Sequence, residues 1–199
     1  MLSLTHRKLV TDLNKSISRG VFKQKPQVTK NPESINHRVY WWSEHRPYRR
    51  TVLDICRIIT HTRSFHSLIN PQSLIGSELV HKLSLPGPFT GFIPVNSAIS
   101  QSIKGLDDRS LSNFILSHFV SEYYLHRDII GSTQSNLACS NEIRQKITSL
   151  DNLSGQTLEF VRDVNEIGET IIRVNNAEVL RWNLKCHNGV IHIINNTLV

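Results

Sequence analysis

The C-terminal part of the chain changes from helical to β periodicity, and this change is the strongest constraint on the fold. The apolar residues Leu180, Trp182 and Leu184 alternate with polar ones, which is the period of two of a half-buried strand. Hairpin turns are predicted at Asn165–Gly168 and Asn175–Asn176. Four runs of β-forming residues are predicted strands: Gln156–Arg162, Thr170–Val174, Glu178–Lys185 and Val190–Ile194.

Helical patterns precede these strands. A short strand, Phe89–Pro94, and a helix that begins near Asn96 are predicted among them. Asp107 or Asp108 provides a helix N-cap. Helices that come before clustered strands are typical of an α+β fold. Apolar residues recur at helical spacing in three segments: Thr51–Thr60, Ser64–Leu85 and Ser110–Val120.

The composition is that of one domain with an arm. The chain has 199 residues, of which 39% are hydrophobic and 20% charged, so it can bury one core of ordinary size. Apolar runs are short and interrupted, and no membrane-spanning helix is predicted. Cys56, Cys139 and Cys186 are widely spaced, which predicts neither a disulfide framework nor a zinc site and favours a reducing compartment.

Positive charge is concentrated at the N-terminus. The net charge is +7, and residues 1–50 contain 11 Lys and Arg against 3 Asp and Glu, whereas residues 51–199 contain 12 against 13. A basic arm on a nearly neutral body predicts an acidic partner or a targeting signal. We therefore divide the chain into an amphipathic segment (1–22), an extended basic-aromatic arm (23–50) and a body (51–199).

The first 22 residues have the pattern of a mitochondrial targeting segment. Leu2, Leu9, Leu13 and Ile17 fall on one face of a helix with basic residues opposite, and Asp12 is the only acid among the first 30 residues. This pattern predicts import into mitochondria, to the matrix or the matrix face of the inner membrane. The alternative is a disordered basic N-terminus of a cytosolic protein.

The arm contains an aromatic and arginine-rich segment that predicts a binding surface. Such side chains bury large areas and still form hydrogen bonds, as interface anchors do. They also stack on bases and neutralise phosphates. A partner protein, RNA, lipid headgroups, or packing against the body's own core all remain open. The candidate partner-binding residues are Arg38, Tyr40, Trp41, Trp42, Arg46, Tyr48, Arg49 and Arg50.

Three segments of the body resemble motifs of the fasciclin-like domain family. Phe89–Ile99 is similar to the first hallmark, T-V-F-A-P-T-N-x-A-F, and Asn188–Leu198 to the second, N-G-V-I-H-x-I-D-x-V-L. Between them, Ile115–Val120 resembles the helix L-x-Y-H-V-V. The order and spacing fit over residues 51–199. The matching hallmark residues are Thr90, Phe92, Pro94, Asn96, Ala98, Asn188, Gly189, Val190, Ile191, His192, Ile194 and Leu198.

The resemblance implies a wedge-shaped β-sandwich with a helical layer that serves adhesion and protein–protein contact. It implies no catalysis, metal or cofactor. Most members are secreted or anchored at the cell surface, but no secretory signal is predicted at this N-terminus. Ser117 stands where the family has a tyrosine linked to adhesion, and Asn195 where it has an aspartate. Both departures weaken a cell-adhesion function more than they weaken the fold.

Motifs that carry catalysis or metal binding are missing from the sequence. It contains no G-x-S-x-G, no phosphate-binding loop and no H-x-x-x-H. His118 and His192 lie on apolar faces and are interpreted as core histidines. Because neighbours on a helix point about 100° apart, Ser117 is not expected to contact His118. Asp107 and Asp108 are interpreted as a helix start.

These observations predict a non-enzymatic protein without a metal or cofactor. We expect an accessory subunit of a respiratory-chain membrane complex in mitochondria, which docks onto other protein subunits through the fasciclin-like body and the basic-aromatic arm. Lipid headgroups or rRNA are possible further contacts of the arm. Two alternatives stay open: an accessory protein of the mitochondrial ribosome with its arm on rRNA, and a secreted or surface cell-adhesion module.

Overall fold

A curved β-sheet with most of the helices packed against one side makes up the body. The computed structural model describes residues 11–13, 15, 50–69, 71–130, 148–164 and 168–198. The helices of the body are α1 (Val52–Ile58), α2 (Arg63–Ser67), α3 (Leu74–Ser84), α4 (Asn96–Ser102), α5 (Asp108–Leu116) and α6 (His126–Ile130), with a 3₁₀ turn at Thr60–Thr62. The strands are β1 (Phe89–Pro94), β2 (Phe119–Ser121), β3 (Ser149–Asp151), β4 (Thr157–Val164), β5 (Thr170–Val174), β6 (Ala177–Lys185) and β7 (Gly189–Ile194).

The strands form one sheet in the order β2-β1-β7-β6-β5-β4-β3. The neighbours β1 and β7 are parallel, and the other pairs are antiparallel. The two edges of the sheet meet, because Val120 forms an antiparallel bridge with Asn152 and the Leu153 N–H donates to the Phe119 carbonyl at 2.7 Å. The sheet is therefore nearly a closed barrel. The predicted α+β class, a wedge-shaped β-sandwich with a helical layer, is confirmed, and its strands belong to this single sheet.

Short polar side chains fix where the helices begin. In a capping box at α1, the Asp54 N–H donates to Thr51 Oγ1 at 3.3 Å and the Thr51 N–H donates to Asp54 Oδ2 at 3.0 Å. At α3 the cap is a single bond, in which the Gly76 N–H donates to Ser73 Oγ at 3.0 Å. Asp107 accepts from the Ser110 N–H at 2.8 Å and is the N-cap of α5, so Asp108 is the first residue of that helix.

The sheet separates two hydrophobic clusters. Because β1 and β7 are covered on both sides, nearly all their residues are buried, as expected of central parallel strands. The helix-side cluster lies between the helices and the outer face of the sheet, and its largest members are Phe65, Leu83, Ile93, Ile99, Ile115 and Phe119. The inner cluster fills the curled sheet and contains Phe92, Ile129, Leu158, Phe160, Val174 and Ile194.

Two adjacent residues at the start of β7 tie the helices to the sheet. The buried amide of Asn188 accepts from the Val52 N–H at 2.9 Å and donates to the carbonyls of Leu83 at 2.7 Å and Leu85 at 3.0 Å. Gly189 follows, and a Cβ there would collide with the carbonyl oxygen of the paired strand β1. The Asn-Gly of the second hallmark is therefore structural.

The helix predicted at Ser110–Val120 is too long. The helix α5 ends at Leu116, and the chain turns so that β2 pairs with β1. The Phe114 carbonyl accepts from Ser117 Oγ at 2.7 Å and contacts His118 Nδ1 at 2.7 Å, while the His118 N–H donates to Ile115. These side chains occupy the carbonyl that a continuing helix would use, which explains the early end.

The predicted alternation in β6 is interrupted by irregular pairing. The register between β6 and β7 shifts on both sides of Arg181, and Asn183 has a φ of 62° in the left-handed region. Leu180 and Leu184 pack on the helix-side cluster, whereas Trp182 packs on the inner cluster. The interpretation that all three apolar residues share one face is therefore wrong, because such bulges turn the strand between them.

Only a few residues before the body belong to the described part. Leu13 is 1% exposed and packs into the helix-side cluster. The predictions of a targeting segment at 1–22 and of an extended arm at 23–50 otherwise fall outside the described residues and stay predictions. Among the helices that are described, none combines the length and the apolar character needed to cross a membrane.

Candidate functional site

The candidate partner-binding residues of the arm are not brought together in the described structure. Of the eight, only Arg50 lies among the described residues, where it is exposed and its carbonyl accepts from the His187 N–H at 2.6 Å. The other seven, Arg38, Tyr40, Trp41, Trp42, Arg46, Tyr48 and Arg49, lie outside the described residues. The arm surface therefore stays a prediction.

His118 is held at the junction of α5 and β2. Its Nδ1 lies 2.7 Å from the Phe114 carbonyl, and its Nε2 accepts from the Leu198 N–H at 3.3 Å. One ring nitrogen thus donates and the other accepts, which fits a neutral imidazole with its proton on Nδ1. Burial lowers the pKa of His118 from 6.5 to about 4, although the hydrogen bond to Phe114 acts in the opposite direction.

The contact between Ser117 and His118 corrects a prediction. The two side chains were expected to point apart, but Ser117 Oγ lies 3.1 Å from His118 Nδ1 because the helix has already ended. Both residues are fully buried, and Ser117 Oγ donates to the Phe114 carbonyl. The pair therefore faces no space in which a substrate could be attacked.

His192 is held in the opposite tautomer inside the sheet. Its Nδ1 accepts from the Asn183 N–H at 3.1 Å, and its Nε2 lies 2.9 Å from the Tyr124 carbonyl, to which it donates. Burial lowers the pKa of His192 from 6.5 to about 4. Both histidines therefore lie in the core with both ring nitrogens hydrogen-bonded, and the prediction that they are core residues is confirmed.

A third histidine, which the sequence did not single out, lies at the surface beside the inner cluster. The ring of His126 lies 4.5 Å from that of Trp182, and Trp182 in turn lies 4.7 Å from His192. Within the described part of the chain, neither ring nitrogen of His126 has a hydrogen-bond partner. Burial and the nearby positive charge of Arg162 lower the pKa of His126, which favours the neutral ring.

Local irregularities of β6 position this group. The left-handed Asn183 turns its carbonyl oxygen Oδ1 towards α6, where it accepts from the His126 N–H at 2.9 Å. The same bulged segment directs Trp182 to the inner cluster. Sequence patterns do not indicate this arrangement, because His126 and Trp182 are far apart along the chain and meet only through the bulge.

A separate cavity of about 410 Å³ opens beside α5. Hydroxyl and amide groups line it with two apolar side chains, and it has no ionisable group to supply a metal ligand, acid or base. Nor does the described part of the chain contain a group of three or more His, Cys, Asp or Glu residues arranged to hold a metal ion. The lining residues are Ser102, Leu106, Ser110, Asn113, Phe114, Ser154 and Gln156.

Comparison with known proteins identifies an enzyme among the relatives. A protein of Plasmodium falciparum named "Heme ligase" is 38% identical to this chain over 185 residues, which are 88% of this chain and 89% of that protein. The prediction that this chain is non-enzymatic is therefore wrong. It depended on missing catalytic motifs and on the fasciclin-like resemblance, and neither excludes an activity on that scaffold.

Two further comparisons concern a human protein and an insect cell adhesion molecule. Human periostin is 27% identical over 125 residues, which are 63% of this chain but only 13% of periostin. A FAS1 domain pair from the insect cell adhesion molecule fasciclin I matches with a TM-score of 0.51 and 18% identity, over 76% of this chain and 51% of that chain. At this identity the second match concerns the fold alone.

A match to a family sequence model shows which family the chain belongs to. The model of the fasciclin domain matches residues 65–199, which include β1 to β7 and both hallmark segments. Fasciclin domains mediate protein interactions, so this body is a domain of an interaction or adhesion type. By this match, and with the fold described above, the chain belongs to the fasciclin domain family.

Proposed function

We propose that this chain is an enzyme that acts on heme. The observation that supports the proposal is the 38% identity to the protein named "Heme ligase" along nearly the whole length of both chains. A shared fold alone would not support it, because one fold serves many functions. The 185 matched residues extend beyond the fasciclin segment at 65–199, so the likeness includes more than the domain.

Heme as a substrate makes three demands on a protein. Its ring plane is apolar and aromatic, its iron takes a ligand such as imidazole, and its propionates are anions. His118 and His192 do not meet these demands, because all four ring nitrogens are already hydrogen-bonded and both side chains are fully buried. His126, which is half-buried beside Trp182, has both ring nitrogens available among the described residues.

Ferric heme added to the full-length chain is expected to be bound and then consumed. For an enzyme, each chain should convert more than one heme. The measurement is chromatography with mass detection of heme and its product after the reaction is stopped, at several ratios of heme to protein. The heat-denatured chain and a protein-free sample are the controls, since heme also changes in water without protein.

Two results would count against this function. Binding of heme without any product beyond one equivalent would contradict the enzyme but leave heme as a ligand. An absence of both binding and product would contradict heme altogether.

We also propose a second candidate function, which is docking onto a partner protein. Membership of a family that mediates protein interactions supports it. The partner we propose is a mitochondrial assembly, specifically a respiratory-chain membrane complex, with the arm residues 38–50 at the contact. The basic and aromatic composition of the arm supports this choice, as it also supports rRNA or lipid headgroups as contacts.

Purification of the chain through a C-terminal tag is expected to recover subunits of one mitochondrial complex. Trp41→Ala with Trp42→Ala should abolish recovery, whereas Leu74→Ala, which changes a side chain that is 78% exposed on α3, should not. Recovery that declines steeply with salt, as binding to nucleic acid does, would indicate rRNA instead. Native chain found outside mitochondria would contradict the location.

A further inference from the structure

We propose that a surface formed by Trp182, His126 and Arg162, the heme platform, binds heme with the ring plane against Trp182 and with His126 as an iron ligand. This inference rests on the proposed function, because it takes heme as the ligand. It adds the place on the fold where heme binds and the role of each of the three side chains.

Hydrogen bonds and ring contacts favour His126 over five other described histidines, which are His61, His66, His81, His118 and His192. The rings of His118 and His192 could bind iron only if backbone hydrogen bonds in the core were broken. His61, His66 and His81 lie against no aromatic ring of the described residues. His126 combines free ring nitrogens, partial exposure and an aromatic neighbour at 4.5 Å. It therefore offers an iron ligand where a flat aromatic molecule also finds a contact.

Trp182 supplies the aromatic contact and is held in place from behind. Its ring is half-buried and packs on the inner cluster, with the His192 ring 4.7 Å away at 61°. Since His192 is itself fixed by two hydrogen bonds to the backbone, the indole cannot easily turn away. A large aromatic side chain that is held in place and only half-buried suits stacking against a porphyrin.

Arg162 supplies the charge that the propionates require. Along β4 it follows Leu158 and Phe160 at alternate positions, so it extends the face of the inner cluster beyond its edge. It is exposed, and its positive charge is, after burial, the second cause of the lowered pKa of His126. Within the described residues it forms no ion pair, so its guanidinium is available to a carboxylate. Val164, which is 60% exposed on the same face, adds apolar surface.

The test is the binding of ferric heme and of iron-free protoporphyrin IX to the full-length chain, followed by absorbance in the Soret region. His126→Ala should weaken heme binding about 10- to 100-fold but change protoporphyrin binding much less, because only heme loses a ligand. His81→Ala, which removes an exposed histidine of α3, is the matched control and should leave both affinities unchanged. Arg162→Gln should weaken the binding of both heme and protoporphyrin IX.

Trp182→Leu should also weaken the binding of both ligands. Trp182→Phe, which keeps an aromatic ring, should retain much of the affinity. The second variant keeps the test decisive if Trp182→Leu is poorly folded. Heme binding that is unchanged in His126→Ala and in Arg162→Gln would overturn the heme platform, while the proposed function would stand on the wild-type result. A wild-type chain that neither binds nor converts heme would remove the proposed function and this inference with it.

Discussion

Acidification from pH 7 to pH 5 is expected to lower the free energy of unfolding by about 4 kcal/mol, through His118 and His192. Burial lowers the pKa of each to about 4 in the folded protein, whereas the unfolded chain has the ordinary value of 6.5. Between these values the unfolded state binds more protons. The stability that the two neutral rings provide is complete above pH 6.5 and is lost as the pH falls towards 4. By pH 5 each ring has lost ~2 kcal/mol of its contribution to the free energy of unfolding.

Protonation also breaks specific bonds. A charged His118 would direct a second N–H at the Leu198 N–H, and a charged His192 would do the same at the Asn183 N–H. Because most domains have only about 5–15 kcal/mol of stability, the loss would be a large fraction of the total. Smaller contributions of the same sign are expected from His66 and His126, since burial lowers the pKa of both.

Urea unfolding at pH 7, 6 and 5 measures this effect. His118→Gln should be less stable at pH 7 but should lose about half as much on acidification, and His192→Gln likewise. The exposed His81→Gln is the matched control and should show the full fall of the wild type. A stability that stays flat from pH 7 to pH 5 would contradict the burial of two neutral rings.

Asn188→Ala is expected to cost about 3–5 kcal/mol of stability, because it leaves buried backbone groups without partners. The amide of Asn188 bonds the first N–H of α1 and two carbonyls at the end of α3. Val52 and Leu83 have no access to water, so their unpaired N–H and C=O groups bear most of the cost. No other described side chain joins these three segments in this way.

The control lies in the same hallmark segment. Asn195 Oδ1 accepts from the Glu178 N–H at 2.8 Å, but the side chain is half-exposed and water can replace it. Asn195→Ala should therefore cost no more than about 1 kcal/mol. Urea unfolding at pH 7 compares the two variants. Equal losses would mean that the contacts of Asn188 with α1 and α3 do not hold the helices to the sheet.

Regular elements with strong periodicity could be predicted from the sequence. The strand Phe89–Pro94 has the bounds that were predicted, and the turn at Asn175–Asn176 is confirmed, with Asn175 at a φ of 51°. Errors arose where side chains bond to the local backbone. The end of α5 depends on two side chains that compete for one carbonyl, and the bulge in β6 depends on pairing with β7. Neither the end of α5 nor the bulge in β6 appears as a periodicity in the sequence.

The candidate site could be predicted only in part. The core positions of His118 and His192 were predicted correctly, since each lies on an apolar face where a neutral ring can satisfy the backbone. His126 follows no motif, and while it lies on α6, Arg162 and Trp182 come from the strands β4 and β6. The prediction of no enzymatic activity failed for a related reason. A site assembled from separate elements would leave no local signature, so missing motifs could not exclude one.

The parallel pairing of β1 with β7 has a consequence for folding kinetics. Phe89 pairs with Gly189, so the two central strands are a hundred residues apart along the chain. Ordering so long a loop is entropically costly before any contact compensates for it, and such non-local topologies fold slowly. During synthesis, the early strands β1 and β2 must wait with an open edge until β7 leaves the ribosome. This interval is when the nascent chain is most exposed to aggregation and most in need of a chaperone.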